Sequence, residues 1–189
     1  MGKFILEDGT ALTGKNQIGR GLFSKVYQIS ESEVVALTTD PAKECLALFC
    51  QNEDHLPTME RLSNIGEYQV YKMPKYEKLT KQHAAAWRDY KAVEKILKPL
   101  KLTKWECFGT CINAVEQSNL APTIKESLTQ LFEMLANYTD EIFLEVCRRN
   151  VMVDSRGNLI FTDIVGCSEK LRRVWQARTH RRVTDSNYI

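Results

Sequence analysis

Nowhere in its 189 residues does an apolar run approach the roughly 20 residues that a membrane-spanning helix needs. The opening Met1-Gly2-Lys3-Phe4-Ile5-Leu6-Glu7-Asp8 also lacks the basic, apolar and small-residue succession of a secretory leader. Both lacks predict a soluble, cytoplasmic protein with no membrane partner. The six cysteines, at 45, 50, 107, 111, 147 and 167, include no Cys-X-X-Cys pair. Cys107-Phe108-Gly109-Thr110-Cys111 has the wrong spacing for a zinc knuckle, so the thiols are read as buried and free. What is present is a 43% hydrophobic chain, enough for one domain with a sizeable core.

The densest chemistry lies between Glu145 and Asp163, in E-V-C-R-R-N-V-M-V-D-S-R-G-N-L-I-F-T-D. Glu145 stands five positions before Asn150, and Asp163 thirteen after it. The stretches Val151 to Val153 and Leu159 to Phe161 read as short apolar strands. Ser155-Arg156-Gly157-Asn158 between them is rich in turn formers. Such a hairpin brings Asn150 and Asp163 face to face. An amide oxygen and a carboxylate so placed are the hard ligands Mg²⁺ takes, and the acid upstream sits where a base could receive a hydroxyl proton.

A second pattern precedes it by more than a hundred residues: Ile18-Gly19-Arg20-Gly21-Leu22-Phe23-Ser24-Lys25-Val26-Tyr27. Two strands closing a glycine turn with an aromatic at its tip can present backbone N–H groups to phosphates. These two patterns, in this order, resemble the glycine-rich loop, catalytic loop and metal-binding Asp of protein kinases. Over about residues 17 to 166 the chain looks most like the reduced serine/threonine protein kinases of tailed bacteriophages.

That resemblance implies an α+β, two-lobed kinase-like fold, with an antiparallel sheet and one helix in the N-lobe and a reduced, mainly helical C-lobe. It implies ATP and Mg²⁺ as cofactors, and host proteins, including the transcription apparatus, as substrates. Residue by residue, Glu145, Asn150 and Asp163 would be catalytic, the last two as metal ligands. Gly19, Gly21, Phe23, Ser24, Val26, Ala36 and Thr38 would contact nucleotide. The departures are specific: Val35-Ala36-Leu37-Thr38 puts Thr where the V-A-I-K pattern has its phosphate-binding Lys, and Glu145 replaces the catalytic Asp. Phe143 and Leu144 replace the usual His and Arg, Ser24 replaces the third glycine, and Asp163-Ile164-Val165-Gly166 is one residue longer than D-F-G. Strand alternation turns Lys25 away from the nucleotide, which leaves Arg148 and Arg149 as candidates for phosphate contact.

Along the chain, Phe4 to Leu6 and Ala11-Leu12 flank Asp8-Gly9, a hairpin signal, and strands follow near 15–20, 23–29 and 33–38. Asp40-Pro41 opens a helix in which Glu44 matches the kinase helix Glu; without a Lys at 38, a surface role is expected for it. Tyr68 to Met73 alternates as a strand up to Pro74, placing the N-lobe at about 1–74, the C-lobe at 75–168 and a tail at 169–189. Two helices follow, from Thr80 to Leu97 with Trp87, Tyr90, Val93 and Leu97 on one face, and from Pro122 with Leu128, Leu131, Phe132 and Leu135. The second is expected to run directly into Glu145. Few residues follow Gly166, so a peptide-gripping helical subdomain is not expected.

In the tail, Lys170, Arg172, Arg173, Arg178, Arg181 and Arg182 against Glu169 and Asp185 give +4, leaving −2 for the rest of a chain of net charge +2. A basic stripe of this kind fits an acidic protein surface, and with only Trp175 nearby it argues against specific nucleic-acid binding. Three functions are compatible with the sequence: a phage-type kinase, a pseudokinase that acts by binding and inhibiting a host protein, and a small-molecule phosphotransferase.

Overall fold

The computed structural model describes residues 4–49, 53–100, 108–136 and 142–167; the basic tail at 169–189 lies outside the described residues. Strands β1 (Phe4–Ile5) and β2 (Ala11–Leu12) pair as the expected hairpin. Gly9 takes a left-handed φ of 85° in its turn, a conformation open to glycine at no steric cost. A five-stranded antiparallel sheet follows, built from β3 (Gln17–Arg20), β4 (Ser24–Gln28), β5 (Glu33–Thr38), β6 (Glu60–Ile65) and β7 (Tyr68–Pro74), in the order β3-β4-β5-β7-β6.

Alternation sorts the residues of this sheet onto two faces. Tyr27, Val35, Leu37 and Val70 are buried with Leu6 and Leu12 beneath the β1–β2 hairpin. Ser24, Val26, Val34, Ala36 and Thr38 point the other way, because successive strand residues face opposite sides. Lys25 lies on the face away from the cleft, as expected, with its Nζ 3.1 Å from the Tyr68 hydroxyl and over the Phe4 and Tyr68 rings.

Helix α1 (Ala42–Phe49) starts where Asp40-Pro41 predicts it, with the Ala42 N–H donating to Asp40 Oδ1 at 3.0 Å. Its Ala42, Leu46 and Ala47 enter a core shared with the C-terminal half. The segment after α1 is fixed to that half as well. The Phe161 N–H donates to the His55 carbonyl at 2.9 Å, and the buried His55 ring bonds the Leu159 carbonyl and the Thr123 hydroxyl.

The C-terminal half contains β8 (Glu77–Lys78), α2 (Ala84–Leu97), α3 (Phe108–Glu116), α4 (Pro122–Ala136), β9 (Ile142–Leu144), β10 (Met152–Val153), β11 (Leu159–Ile160) and β12 (Val165–Cys167). In α4, Leu128, Leu131, Phe132 and Leu135 are all buried, the stripe read from their spacing. Helix α2 begins at Ala84 rather than Thr80, because the Thr80 N–H donates to His83 Nδ1 in a turn that precedes it. The expectation that α4 runs directly into Glu145 is corrected: β9 stands between them and pairs with β12, Leu144 opposite Val165. β10 pairs with β11 as the expected hairpin and with β8 on its other side. The architecture is α+β, sheet first and helices after. Cys111 and Cys167 are buried free thiols and Cys147 is partly exposed.

Candidate nucleotide and metal site

Between the sheet and the C-terminal half lies a cleft of about 180 Å³. Its apolar wall is the free face of the sheet, with Ile18, Val26, Val34 and Ala36; Met73, Pro74 and Tyr76 close one side and Met152 lies opposite. Its polar end carries Thr38, Lys43, Arg149, Thr162 and Asp163. An apolar slot ending in charges suits a ligand that is flat and apolar at one end and anionic at the other.

Backbone bonds assemble the polar end. The Asp163 N–H donates to the Asn150 carbonyl at 3.0 Å, and the same carbonyl accepts from the Thr162 hydroxyl at 3.1 Å. The Glu145 N–H donates to the Ile164 carbonyl at 2.7 Å, fixing the acid to the segment after Asp163. Asn150 Nδ2 donates to the Glu145 carbonyl at 3.0 Å and to its Oε2 at 3.2 Å. With the amide nitrogen so engaged, Oδ1 is the side of Asn150 left for a cation, and among the described residues nothing donates to it. Asn150 is 6% exposed, so the hairpin and the turn around it hold the amide rigidly. The remaining Glu145 oxygen, Oε1, pairs with Arg149.

Lys43, which the sequence reading did not single out, is the buried cation of the cleft. Its Nζ lies 2.6 Å from Asp163 Oδ1 and donates to the Thr162 carbonyl at 2.6 Å. Nearby, burial pushes the Asp40 carboxyl above the usual carboxylate range, against the opposing pulls of the Ala42 N–H and the Lys43 charge. The only sequence signal was Lys at the second position of a helix whose buried face could not be oriented from its own residues.

The other expected positions divide. Ser24, Val26, Ala36 and Thr38 line the cleft, whereas Gly19, Gly21 and Phe23 do not line it and shape the β3–β4 turn instead. The Gly21 N–H donates to the Ser24 carbonyl at 2.8 Å, and the Phe23 carbonyl accepts from Thr39 N–H at 2.9 Å. A Cβ at Gly19 would stand 3.3 Å from Val26 Cβ, so the residue's smallness matters to strand approach. Arg149 reaches the cleft, and Arg148, also offered for phosphate contact, is exposed and absent from its lining. Glu44 is not the surface residue expected: its side chain is 29% exposed and bonds Arg61 on β6 and Gln69 on β7, and Gln69 is paired directly opposite Thr38.

The donor set fits magnesium. Among the described residues no three His, Cys, Asp or Glu side chains cluster as a metal cage. Mg²⁺ is usually held by one or two protein oxygens with water and phosphate completing the shell, and Asn150 Oδ1 with the half-exposed Asp163 carboxylate offers that arrangement.

No protein-family model matches the chain, and no curated protein does. Among solved structures, similarity is found to the ADP-bound aminoglycoside phosphotransferase APH(2'')-Ib, at 14% identity over 80% of this chain and 67% of that one, with a TM-score of 0.35. The streptomycin-ATP-APH(2'')-IIa ternary complex is similar at 13% identity over 80% and 66%, with a TM-score of 0.34. The chain thus spans about two thirds of each. Overlaps this loose add no weight to the kinase-like reading, which stands on the strand order, the loop positions and the cleft.

Proposed function

We propose that the chain binds Mg-ATP in this cleft and transfers the γ-phosphoryl group to a Ser or Thr hydroxyl of a protein, the acceptor class that the phage-kinase resemblance implies. The observation that carries the reading is the backbone bond that clasps Asn150 to Asp163, the carboxylate lining the charged end of an apolar slot. Val26 and Ala36 would flank the base of the nucleotide, and the β3–β4 turn would lie over its phosphates. Asn150 Oδ1 and Asp163 would hold magnesium, which when bound neutralises charge on the phosphates and orients them. Glu145 is the base: its carboxylate is held at the mouth of the catalytic turn by Asn150 and accepts the acceptor's hydroxyl proton.

A second reading, a protein that binds nucleotide and acts by association alone, is favoured by a specific contact. The Glu145 carboxylate is already shared between Arg149 and Asn150, and Thr38 brings no charge to the phosphates. Incubating the full chain with γ-labelled ATP and whole-cell extract separates the readings. Label on protein, lost in Glu145→Gln and Asp163→Ala, supports the kinase reading. Label confined to small molecules makes the chain a small-molecule phosphotransferase, and bound nucleotide without any transfer leaves the association reading.

A further inference from the structure

The end of β5 has no cation, yet the cleft does. Thr38 is 1% exposed and its hydroxyl is committed: it accepts from the Ser24 hydroxyl at 2.9 Å and from the Asp40 N–H at 3.1 Å. Those bonds turn the chain from β5 into α1 and take both acceptor positions of the hydroxyl, so Thr38 is a corner residue that can offer a ligand one O–H and no charge. The same corner delivers Lys43. Asp40 caps α1, and the Lys43 N–H donates to the Asp40 carbonyl at 3.1 Å, which fixes the first turn of the helix and throws the Lys43 side chain down toward the metal-binding segment.

We propose that Lys43 is the phosphate-binding cation of this cleft, reached from the helix instead of the strand. The proposal rests on the Mg-ATP reading above. Two asymmetries support it. First, the ion pair is lopsided: the Lys43 side chain is 9% exposed and the Asp163 side chain 54%, so the ammonium is fixed in the wall while its partner carboxylate faces the open cleft. Second, Asp163 cannot serve Lys43 and a divalent cation equally. Once its charge is taken by metal, a buried ammonium beside Mg²⁺ needs another anion, and the polyphosphate is the one that arrives with the metal. Lys43 thereby favours metal and nucleotide together over metal alone. A purely structural salt bridge would have no such preference.

The test separates phosphate recognition from folding. Adenosine, ADP and ATP are titrated with magnesium against the wild-type chain and Lys43→Met by calorimetry. The expected result is an adenosine affinity unchanged within about twofold, with ADP and ATP weakened roughly 10- to 100-fold, the range for a lost hydrogen bond to a charged group. Equal weakening of all three ligands, or of none, overturns the proposal.

A measurement on the unaltered protein covers a variant that fails to fold. An acyl-phosphate derivative of ATP acylates a lysine lying against its phosphates, forming an amide at Nζ and releasing ATP. Peptide mass spectrometry should place the ATP-competable label on Lys43. A label on Lys75, the other lysine lining the cleft, overturns the assignment while leaving the nucleotide site intact. A wild-type chain that neither binds ATP nor takes competable label sinks the nucleotide reading itself.

Discussion

Arg149 decides whether Glu145 is a working base or a locked one, and the geometry allows the lock's strength to be bounded. The Arg149 side chain is 73% exposed and that of Glu145 is 43% exposed. Solvent-exposed pairs of this kind contribute about 0.2–1 kcal/mol, because water screens both charges and ordering two long side chains costs entropy. Converted at RT, that is a factor of roughly 1.4 to 5 in how often the carboxylate is free. Losing a general base costs on the order of 10²–10⁴ in rate. Arg149→Ala is therefore expected to change phosphoryl transfer by less than about fivefold, whereas Glu145→Gln lowers it by roughly 10²-fold or more with nucleotide affinity kept. Initial rates of label transfer from γ-labelled ATP, with nucleotide affinity measured in parallel, give both numbers. A rise of 50-fold or so in Arg149→Ala would refute the screening argument and make the pair a lock. A fall of about 10²-fold would instead place Arg149 on the transferring phosphate. Equal rates in wild type and Glu145→Gln would eliminate the base.

Three further outcomes follow from named contacts. Asp163→Ala should abolish the magnesium-dependent part of nucleotide binding in calorimetry and lower the stability of the ligand-free chain by about 1–3 kcal/mol in urea, since the buried Lys43 then keeps only the Thr162 carbonyl. Asp40→Ala should cost about 1 kcal/mol in the same measurement, through loss of the cap on the Ala42 N–H; no loss would show that α1 needs no cap. Glu94 is held down to about 2 from its usual 4.5 by hydrogen bonds from Lys91, then Tyr90 and Lys98, so its folded pKa lies below its unfolded one. Its contribution is present above pH 4.5 and lost as pH falls toward about 2, and the stability gap between wild type and Glu94→Gln should close over that window.

The parts of the fold that the sequence made legible are those whose signal is local. β5 carries the short apolar run Val34-Val35-Ala36-Leu37, the Asp40-Pro41 pair carries its own cap, and the stripe of α4 repeats at helical spacing. The hairpin between Asn150 and Asp163 is set by its own turn, where Gly157 takes a φ of 87°. What escaped notice depends on partners distant in the chain. β6, with its polar Glu60-Arg61-Leu62-Ser63-Asn64-Ile65, is an edge strand defined by its ladder to β7, and most of its side chains are exposed. β9 exists because β12 pairs with it. α3, whose second residue is Gly109, takes its stability from packing, with Phe108 stacked on Phe132. Lys43 was missed for the same reason. In A-K-E-C-L-A-L-F the polar residues read as the solvent face, and only docking against the segment at Thr162 and Asp163 turns the lysine inward.

The measurement that tests the central claim most directly is a thermal melt of the full chain with ATP, in the presence and absence of magnesium. A ligand bound only by the folded state, at about 100 times its Kd, stabilises it by roughly 2.7 kcal/mol. In a chain of this size each kcal/mol raises Tm by about 2–4 °C, so Mg-ATP should raise it by roughly 5–11 °C, with most of the rise lost when magnesium is chelated. No rise at millimolar Mg-ATP, or the same rise with chelator, would contradict an Asn150–Asp163 metal site serving a nucleotide.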